Sequence, residues 1–184
     1  MVSMDAGYLG LLLHPDAKPP EDPATKELLV RARDRIEKLV DDLHAANERV
    51  VIPTPALSEF LVLAGNDLQQ YLAEFANQPS FRIQPFDLMA AIEVAAMEVL
   101  AKSKGGKRLP VPAETPWQKV KYDRQIVAIS KVHKVHTIYS NDNHVTVIAE
   151  DVGIKVVPCW ELPLPPSDAP LFDSLPPPEP ESRR

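Results

Sequence analysis

Apolar residues fall along this chain in two alternating rhythms. Short runs rich in β-branched side chains, Val50-Val51-Ile52, Thr137-Ile138-Tyr139 and Ile154-Lys155-Val156-Val157, have the length and composition of buried strands. The stretches Met1 to Asp5 and Phe81 to Pro85 read the same way. Between them the apolar positions recur at helical spacing. Leu9 to Leu13 opens a first helix. Leu28, Leu29, Ala32, Ile36, Leu39, Val40 and Leu43 predict an amphipathic helix from Thr25 to about Asn47, with Arg31, Asp34, Arg35, Lys38 and Asp41 on its other face. Further helices are expected over Ala56 to Ala64, Asp67 to Gln78, the residues after the N-cap candidate Asp87, a segment through Tyr122, Ile126, Ile129 and Val132, and Asn143 to Asp151. Strand and helix thus alternate over residues 1–160, which predicts an α/β domain with a parallel sheet covered on both faces.

Three stretches break the rhythm. His14 to Pro23 is polar and proline-bearing. Lys102 to Trp117 holds Gly105, Gly106, Pro110, Pro112 and Pro116 and is far longer than the usual loop of about 4–6 residues, so residues 102–117 read as an insertion in the domain. From residue 161 to 184 periodicity disappears and proline dominates, the composition of an extended, disordered tail.

Composition narrows the class. With 184 residues, 45% hydrophobic and 25% charged, the chain can build one ordinary core, and its 20 prolines against 6 glycines are no collagen pattern. The single cysteine, Cys159, allows no internal disulfide and no thiolate metal cluster, which suits a reducing compartment such as the cytoplasm. No apolar run approaches the roughly 18 residues needed to span a bilayer, so neither membrane insertion nor secretion is expected. The net charge of −6 speaks against a nucleic-acid partner only as an average. Residues 102–134 hold nine Lys and Arg against two Asp and Glu, a local +7.

Open parallel sheets place their sites at the carboxyl ends of the strands. Asp5 ends the first strand, Asp142 follows Thr137-Ile138-Tyr139, Glu59 lies one turn into the helix after Val50-Val51-Ile52, and Asp123 opens the helix after the insertion. Each alone has an ordinary explanation: a cap, a turn residue, a helix-dipole charge. Four on one edge are harder to explain so. Two carboxylates about 4 Å apart repel by roughly 4 kcal/mol at an effective dielectric near 20. A fold that gathers four needs a compensating charge, and an all-oxygen set suits Mg²⁺ or Mn²⁺, ions that activate water and steady the leaving oxygen of a phosphodiester.

The segments Met4-Asp5-Ala6, Thr54 to Leu61 around Glu59, Tyr122 to Ser130 around Asp123, and Ile138 to His144 around Asp142 resemble the PIN-domain nucleases, a family that includes VapC-type toxins of toxin–antitoxin pairs. The resemblance spans about residues 1–157. It implies an α/β/α sandwich with a central five-stranded parallel sheet, Mg²⁺ or Mn²⁺ dependence, and hydrolysis of single-stranded RNA, with tRNA and mRNA both open as targets. Asp5, Glu59, Asp123 and Asp142 would then be the metal-binding catalytic acids, supported by Ser140, Asn141 and His144. A cognate antitoxin and a homodimer are the partners it implies. Two departures stand out: Ala6 and Gly7 follow the first acid where the family carries a hydroxyl and then Asn, and His144 replaces a further acid found in many members. The alternative they leave open is a weak or inactive PIN domain that binds RNA or protein without cutting.

The basic residues beside Asp123 are candidate RNA contacts: Lys102, Lys104, Lys107, Arg108, Lys119, Lys121 and Arg124, with Trp117 and Tyr122 as stacking surfaces. Two rival folds that use strand-end acids do not fit. Phosphate receivers need paired acids near the first strand, dehalogenase-type phosphatases need Asp-x-Asp, and Asp5-Ala6-Gly7 supplies neither.

Overall fold

Five short strands, β1 (Val2–Met4), β2 (Val50–Pro53), β3 (Phe81–Gln84), β4 (Thr137–Tyr139) and β5 (Lys155–Val157), pair in parallel in the order β3-β2-β1-β4-β5. This computed structural model describes residues 1–166; the proline-rich tail expected from 161 onward lies outside the described residues beyond Pro166. Side chains alternate across the sheet as the pleat requires. Val2, Met4, Val50 and Ile52 face one core, which holds α1 (Ala6–Leu13), α2 (Ala32–Ala45), α3 (Thr54–Ala64) and α4 (Leu68–Asn77). Val51 and Ile138 face the other, under α5 (Leu88–Ser103), α6 (Trp117–Val132) and α7 (Asn143–Asp151). Burial on both faces explains why the inner strands read as continuous apolar runs. Among the described residues, no helix is long and apolar enough to cross a membrane.

The topology locates the site. From β1 the chain steps outward to β2 and β3, then crosses back to β4 on the opposite side, so the switch point lies between β1 and β4. Asp5 and Asp142 follow these two strands directly, as the N-caps of α1 and α7.

Two helix starts differ from the sequence expectation. The helix expected from Thr25 begins only at Ala32. Lys26 and Arg31 take left-handed backbone angles (φ 62° and 54°), Glu21 and Leu28 form an antiparallel bridge, and Leu28 stays 60% exposed. This turn outweighs the two apolar residues Leu28 and Leu29. The segment is fastened from α2, where the Arg33 guanidinium donates to the carbonyls of Leu11 (3.2 Å) and His14 (2.5 Å). Conversely, α6 begins at Trp117, right after Pro116, so Asp123 sits in its second turn and does not open it. A helix-dipole role at the N-terminus no longer accounts for that acid.

The residues between α5 and α6 are tied down by Arg124. Its side chain is almost fully buried and donates to the carbonyls of Lys107 (2.8 Å) and Leu109 (2.9 Å). Arg124→Met is expected to leave both acceptors without this donor, at about 1–3 kcal/mol each, and to expose residues 105–116 to proteolysis. Limited trypsin or chymotrypsin digestion followed by mass spectrometry checks this; an unchanged digestion pattern contradicts it.

Candidate metal centre

The four expected acids meet at the carboxyl edge of the sheet. Asp5, Glu59, Asp123 and Asp142 line one open cleft of about 310 Å³ together with Ala6, Gly7, Lys119, Ile126, Asn141 and Val145. Packing of α3 against α6 places Glu59 and Asp123 opposite the two caps.

Each cap does two jobs. Asp5 accepts the Tyr8 N–H at 2.9 Å through Oδ1, which orients the carboxylate. Asp142 accepts the His144 N–H through Oδ1 at 2.7 Å and leaves Oδ2 to the cleft. Ser140 is fully buried, and its hydroxyl accepts the Asp142 N–H at 3.0 Å. The ordinary reading of these residues as caps holds, and the same side chains line the cleft.

Burial is expensive for this many acids. The Asp5 carboxyl is pushed up to about 6, mainly by loss of water; the Ser140 and Tyr8 hydrogen bonds oppose the rise, and the charges of Asp142 and Glu59 add to it. Asp123 is pushed up to about 7, again by burial first, with Lys119 opposing. Glu59 rises by desolvation against the pull of Lys119. In Asp142 burial also acts upward, but the hydrogen bonds from Lys119 and the His144 N–H win, and its carboxyl lies below the usual range.

Lys119 supplies the positive charge. Its ammonium lies 2.5 Å from Asp142 Oδ2 and 3.7 Å from Asp123 Oδ2. Burial works to depress its pKa, yet the bond to Asp142 and the charges of Asp123, Asp142 and Glu59 raise it. The sequence pattern groups Lys119 with the RNA contacts, whereas the structure places it inside the acid cluster. The i,i+4 spacing from Lys119 to Asp123 is the signal that points there.

A divalent ion fits this donor set. Asp123 Oδ2 is buried without a hydrogen-bond partner, the kind of orphaned oxygen that a cation would satisfy. At Gly7 a Cβ would lie 3.3 Å from Asp5 Oδ1, the oxygen that accepts the Tyr8 N–H, so a side chain there would crowd the cap. Asp123, Asp142 and His144 each offer a donor atom, all within 4.8 Å of one another.

The supporting residues divide by what they touch. Asn141 lines the cleft, and its side-chain oxygen accepts the Cys159 N–H at 2.7 Å, fastening the turn after β5. His144 reaches the insertion, with Nε2 3.5 Å from Thr115 Oγ1. Thr115 is a site neighbour that sequence reasoning misses; no local pattern marks a contact made only through the fold.

The basic residues differ in what they touch. Lys102 pairs with Glu98 (3.0 Å) and Lys104 with Asp151 (2.7 Å). Arg108 donates to the Thr115 carbonyl at 2.8 Å, and Arg124 is buried scaffold. Lys107 and Lys121 stand over the Trp117 ring at 4.7 and 5.7 Å, both exposed. Tyr122 is 44% exposed. These three are the members of the expected RNA surface that remain open to solvent without an acidic partner within salt-bridge distance among the described residues.

No protein-family model and no curated protein matches the chain. Solved structures do. A chain in the structure of FitAB bound to an IR36 DNA fragment aligns at a TM-score of 0.56 and 19% identity, covering 89% of this chain and 98% of that one. A chain of DNA-bound VapBC from Salmonella typhimurium gives 0.52 and 15%, covering 86% and 97%. One of VapBC2 from Rickettsia felis, bound to a promoter DNA fragment, gives 0.51 and 14%, covering 86% and 98%. At these identities the likeness is one of fold. The fold is PIN-like: a five-stranded parallel sheet between two helical layers.

Proposed function

We propose that this protein is a divalent-metal-dependent endoribonuclease acting on single-stranded RNA, and the toxin of a VapBC-type pair. The observation that carries the reading is the convergence of Asp5, Glu59, Asp123 and Asp142, from four separated segments, into one cleft at the switch point, with Asp123 Oδ2 buried and accepting no hydrogen bond. Mg²⁺ or Mn²⁺ held by these carboxylates would supply an activated water and charge neutralisation at the scissile phosphate. The protein's own part is positional. Backbone N–H groups of Tyr8 and His144 fix the two caps, and the Ser140 hydroxyl holds the Asp142 N–H. Lys119 keeps the carboxylates compatible with folding and lies where a phosphate oxygen of the substrate would compete for its ammonium.

Lys107 and Lys121 are the cations best placed to meet the flanking phosphates. The double variant Lys107→Ala/Lys121→Ala is expected to weaken single-stranded RNA binding and to reduce the slope of log K against log salt by about 0.7 for each phosphate that is no longer neutralised. Fluorescence anisotropy at several salt concentrations checks this; an unchanged slope makes both lysines spectators.

An antitoxin partner is supported by the fold likeness to chains of FitAB and VapBC complexes and by a second hollow of about 330 Å³ beside the first. It shares Ala6 and Gly7 with the acid cleft and continues past Gly10, Leu11, Ala17 and the exposed Leu63, a mostly apolar groove suited to a partner segment. Lys119 within the cluster, and the absence of polar side chains at Ala6 and Gly7, favour the second reading of an RNA-binding module that does not cut. Incubation of purified protein with single-stranded RNA and Mn²⁺ separates the two: cleavage supports the nuclease, and retention without cleavage supports the module.

A further inference from the structure

We propose that His144 is a nitrogen ligand in the metal centre and that it biases the site toward first-row transition dications over Mg²⁺. The inference rests on the metal-dependent reading above and specifies which ions the site takes. Three observations carry it.

The first is position. His144 stands in the first turn of α7, two residues after Asp142, and its Nδ1 lies 3.7 Å from Asp142 Oδ1. One donor atom from each of Asp123, Asp142 and His144 falls within 4.8 Å of the others, a spread that small side-chain rotations bring to the span of a single ion with bonds of about 2.0–2.2 Å.

The second is the state of the ring. Nδ1 is buried and has no hydrogen-bond partner, and beside it Asp123, only 5% exposed, carries its own unpartnered Oδ2. Buried imidazole nitrogens and carboxylate oxygens are ordinarily satisfied. Two orphans from different helices, both within one candidate ligand set, have a common solution in a cation. Lys119 offsets the Asp123 charge from 3.7 Å but makes no hydrogen bond to Oδ2, so the oxygen's lone pairs stay available to a ligand-accepting ion.

The third is the outer support. A metal-binding histidine characteristically gives its other ring nitrogen to a polar partner that fixes its orientation. Here Nε2 faces Thr115 Oγ1 at 3.5 Å, and Thr115 is itself buried, with its carbonyl held by the Arg108 guanidinium. The segment joining α5 to α6 therefore reaches the centre through Thr115 and sets the ring with Nδ1 toward Asp142.

The chemical consequence follows from ligand type. Mg²⁺ is hard, sheds water reluctantly and takes oxygen donors, whereas affinity for a mixed nitrogen–oxygen site rises from Mn²⁺ to Co²⁺. A site with an imidazole in place of a carboxylate should follow the order Mg²⁺ < Mn²⁺ < Co²⁺.

The test is calorimetric titration of EDTA-treated full-length protein with MgCl₂, MnCl₂ and CoCl₂, paired with electron spin-echo spectroscopy of the Mn²⁺ complex. For the wild type we expect Mn²⁺ to bind at least about tenfold more tightly than Mg²⁺, with ¹⁴N modulation on the Mn²⁺ signal. His144→Gln should abolish that modulation and lower Mn²⁺ and Co²⁺ affinity by about tenfold or more, the scale at which ligand-support losses are felt, while Mg²⁺ affinity changes little. His144→Asp, which returns an oxygen donor, should retain binding but narrow the Mn²⁺/Mg²⁺ ratio. If wild type lacks ¹⁴N modulation and the ratio is the same in all three proteins, while Asp142→Asn loses binding, the His144 assignment is overturned and the carboxylate centre stands. If the wild type binds none of the three ions, both fail.

Discussion

Asp123→Asn is expected to lower metal-dependent RNA cleavage by more than about 10²-fold while leaving the metal-free protein at least as stable as the wild type at pH 8. The first half follows from contact. Removing an outer partner of a metal ligand already costs about 10–100-fold, and Asp123 would hold the ion itself through a buried oxygen that accepts no hydrogen bond. The second half follows from burial. Asp123 is 5% exposed and its carboxyl is pushed up to about 7, so at pH 8 the folded chain carries a charge it would hold more comfortably unfolded. A pKa unit is worth about 1.4 kcal/mol; Asn removes that cost and keeps the shape, although Lys119 loses one of its neighbours. A residue that served only packing would show the opposite pattern, losing stability and activity together. Thermal unfolding in EDTA alongside single-turnover cleavage separates the cases. Retained cleavage, or a fall in Tm that parallels a fall in activity, contradicts the assignment.

The metal-free wild type should lose stability as pH rises from about 4 to 8 and recover it when a divalent ion is added. Asp5 and Asp123 have folded-state values of about 6 and about 7 against an ordinary 3.8. The folded state therefore binds more protons than the unfolded state across this window, and stability must fall with pH. The benefit of protonation is complete below about 4 and gone once pH has passed the folded values. Asp5 alone corresponds to about 3 kcal/mol on that scale. Asp142, shifted downward, contributes in the opposite sense and only at more acidic pH. A bound ion replaces the proton as compensating charge, so Mn²⁺ should raise Tm more at pH 8 than at pH 5. Lys119→Met takes away the internal cation that opposes the rise in Asp123 and Glu59. It should steepen the pH dependence in EDTA and enlarge the stabilisation by Mn²⁺. A Tm in EDTA that is flat between pH 5 and 8, or equal metal stabilisation at both, would contradict this electrostatic picture.

Much of the fold can be read from the chain because its strands are buried on both faces, which leaves continuous apolar runs such as Val50-Val51-Ile52 that helices do not mimic when bounded by Pro53 and Pro55. Helix starts are harder. Leu28 and Leu29 fit a helical stripe, but the left-handed turns at Lys26 and Arg31 delay α2 to Ala32, and backbone angles of that kind leave little trace at residues other than Gly or Asn. Asp123 looks like a helix-opening charge because Pro110, Pro112 and Pro116 make the whole preceding stretch read as loop. Pro116 in fact precedes the first turn of α6 directly. Asp5 and Asp142 are legible because they follow strand ends, where topology brings them together, whereas Glu59 and Asp123 sit inside α3 and α6 and join them through helix packing. The bases are not legible, since their roles depend on partners far away in sequence. Arg124 closes on the Lys107 and Leu109 carbonyls, Lys104 on Asp151 and Lys119 on Asp142, and a local charge count treats all of them alike.

Incubation of the EDTA-treated protein with a 5′-labelled single-stranded RNA, with and without Mn²⁺, puts the catalytic reading to direct trial. Cleavage that appears with Mn²⁺, is abolished by EDTA and is lost in Asp5→Asn and Asp142→Asn is the predicted result. Cleavage that persists in EDTA or survives either substitution would contradict a metal centre built on these carboxylates.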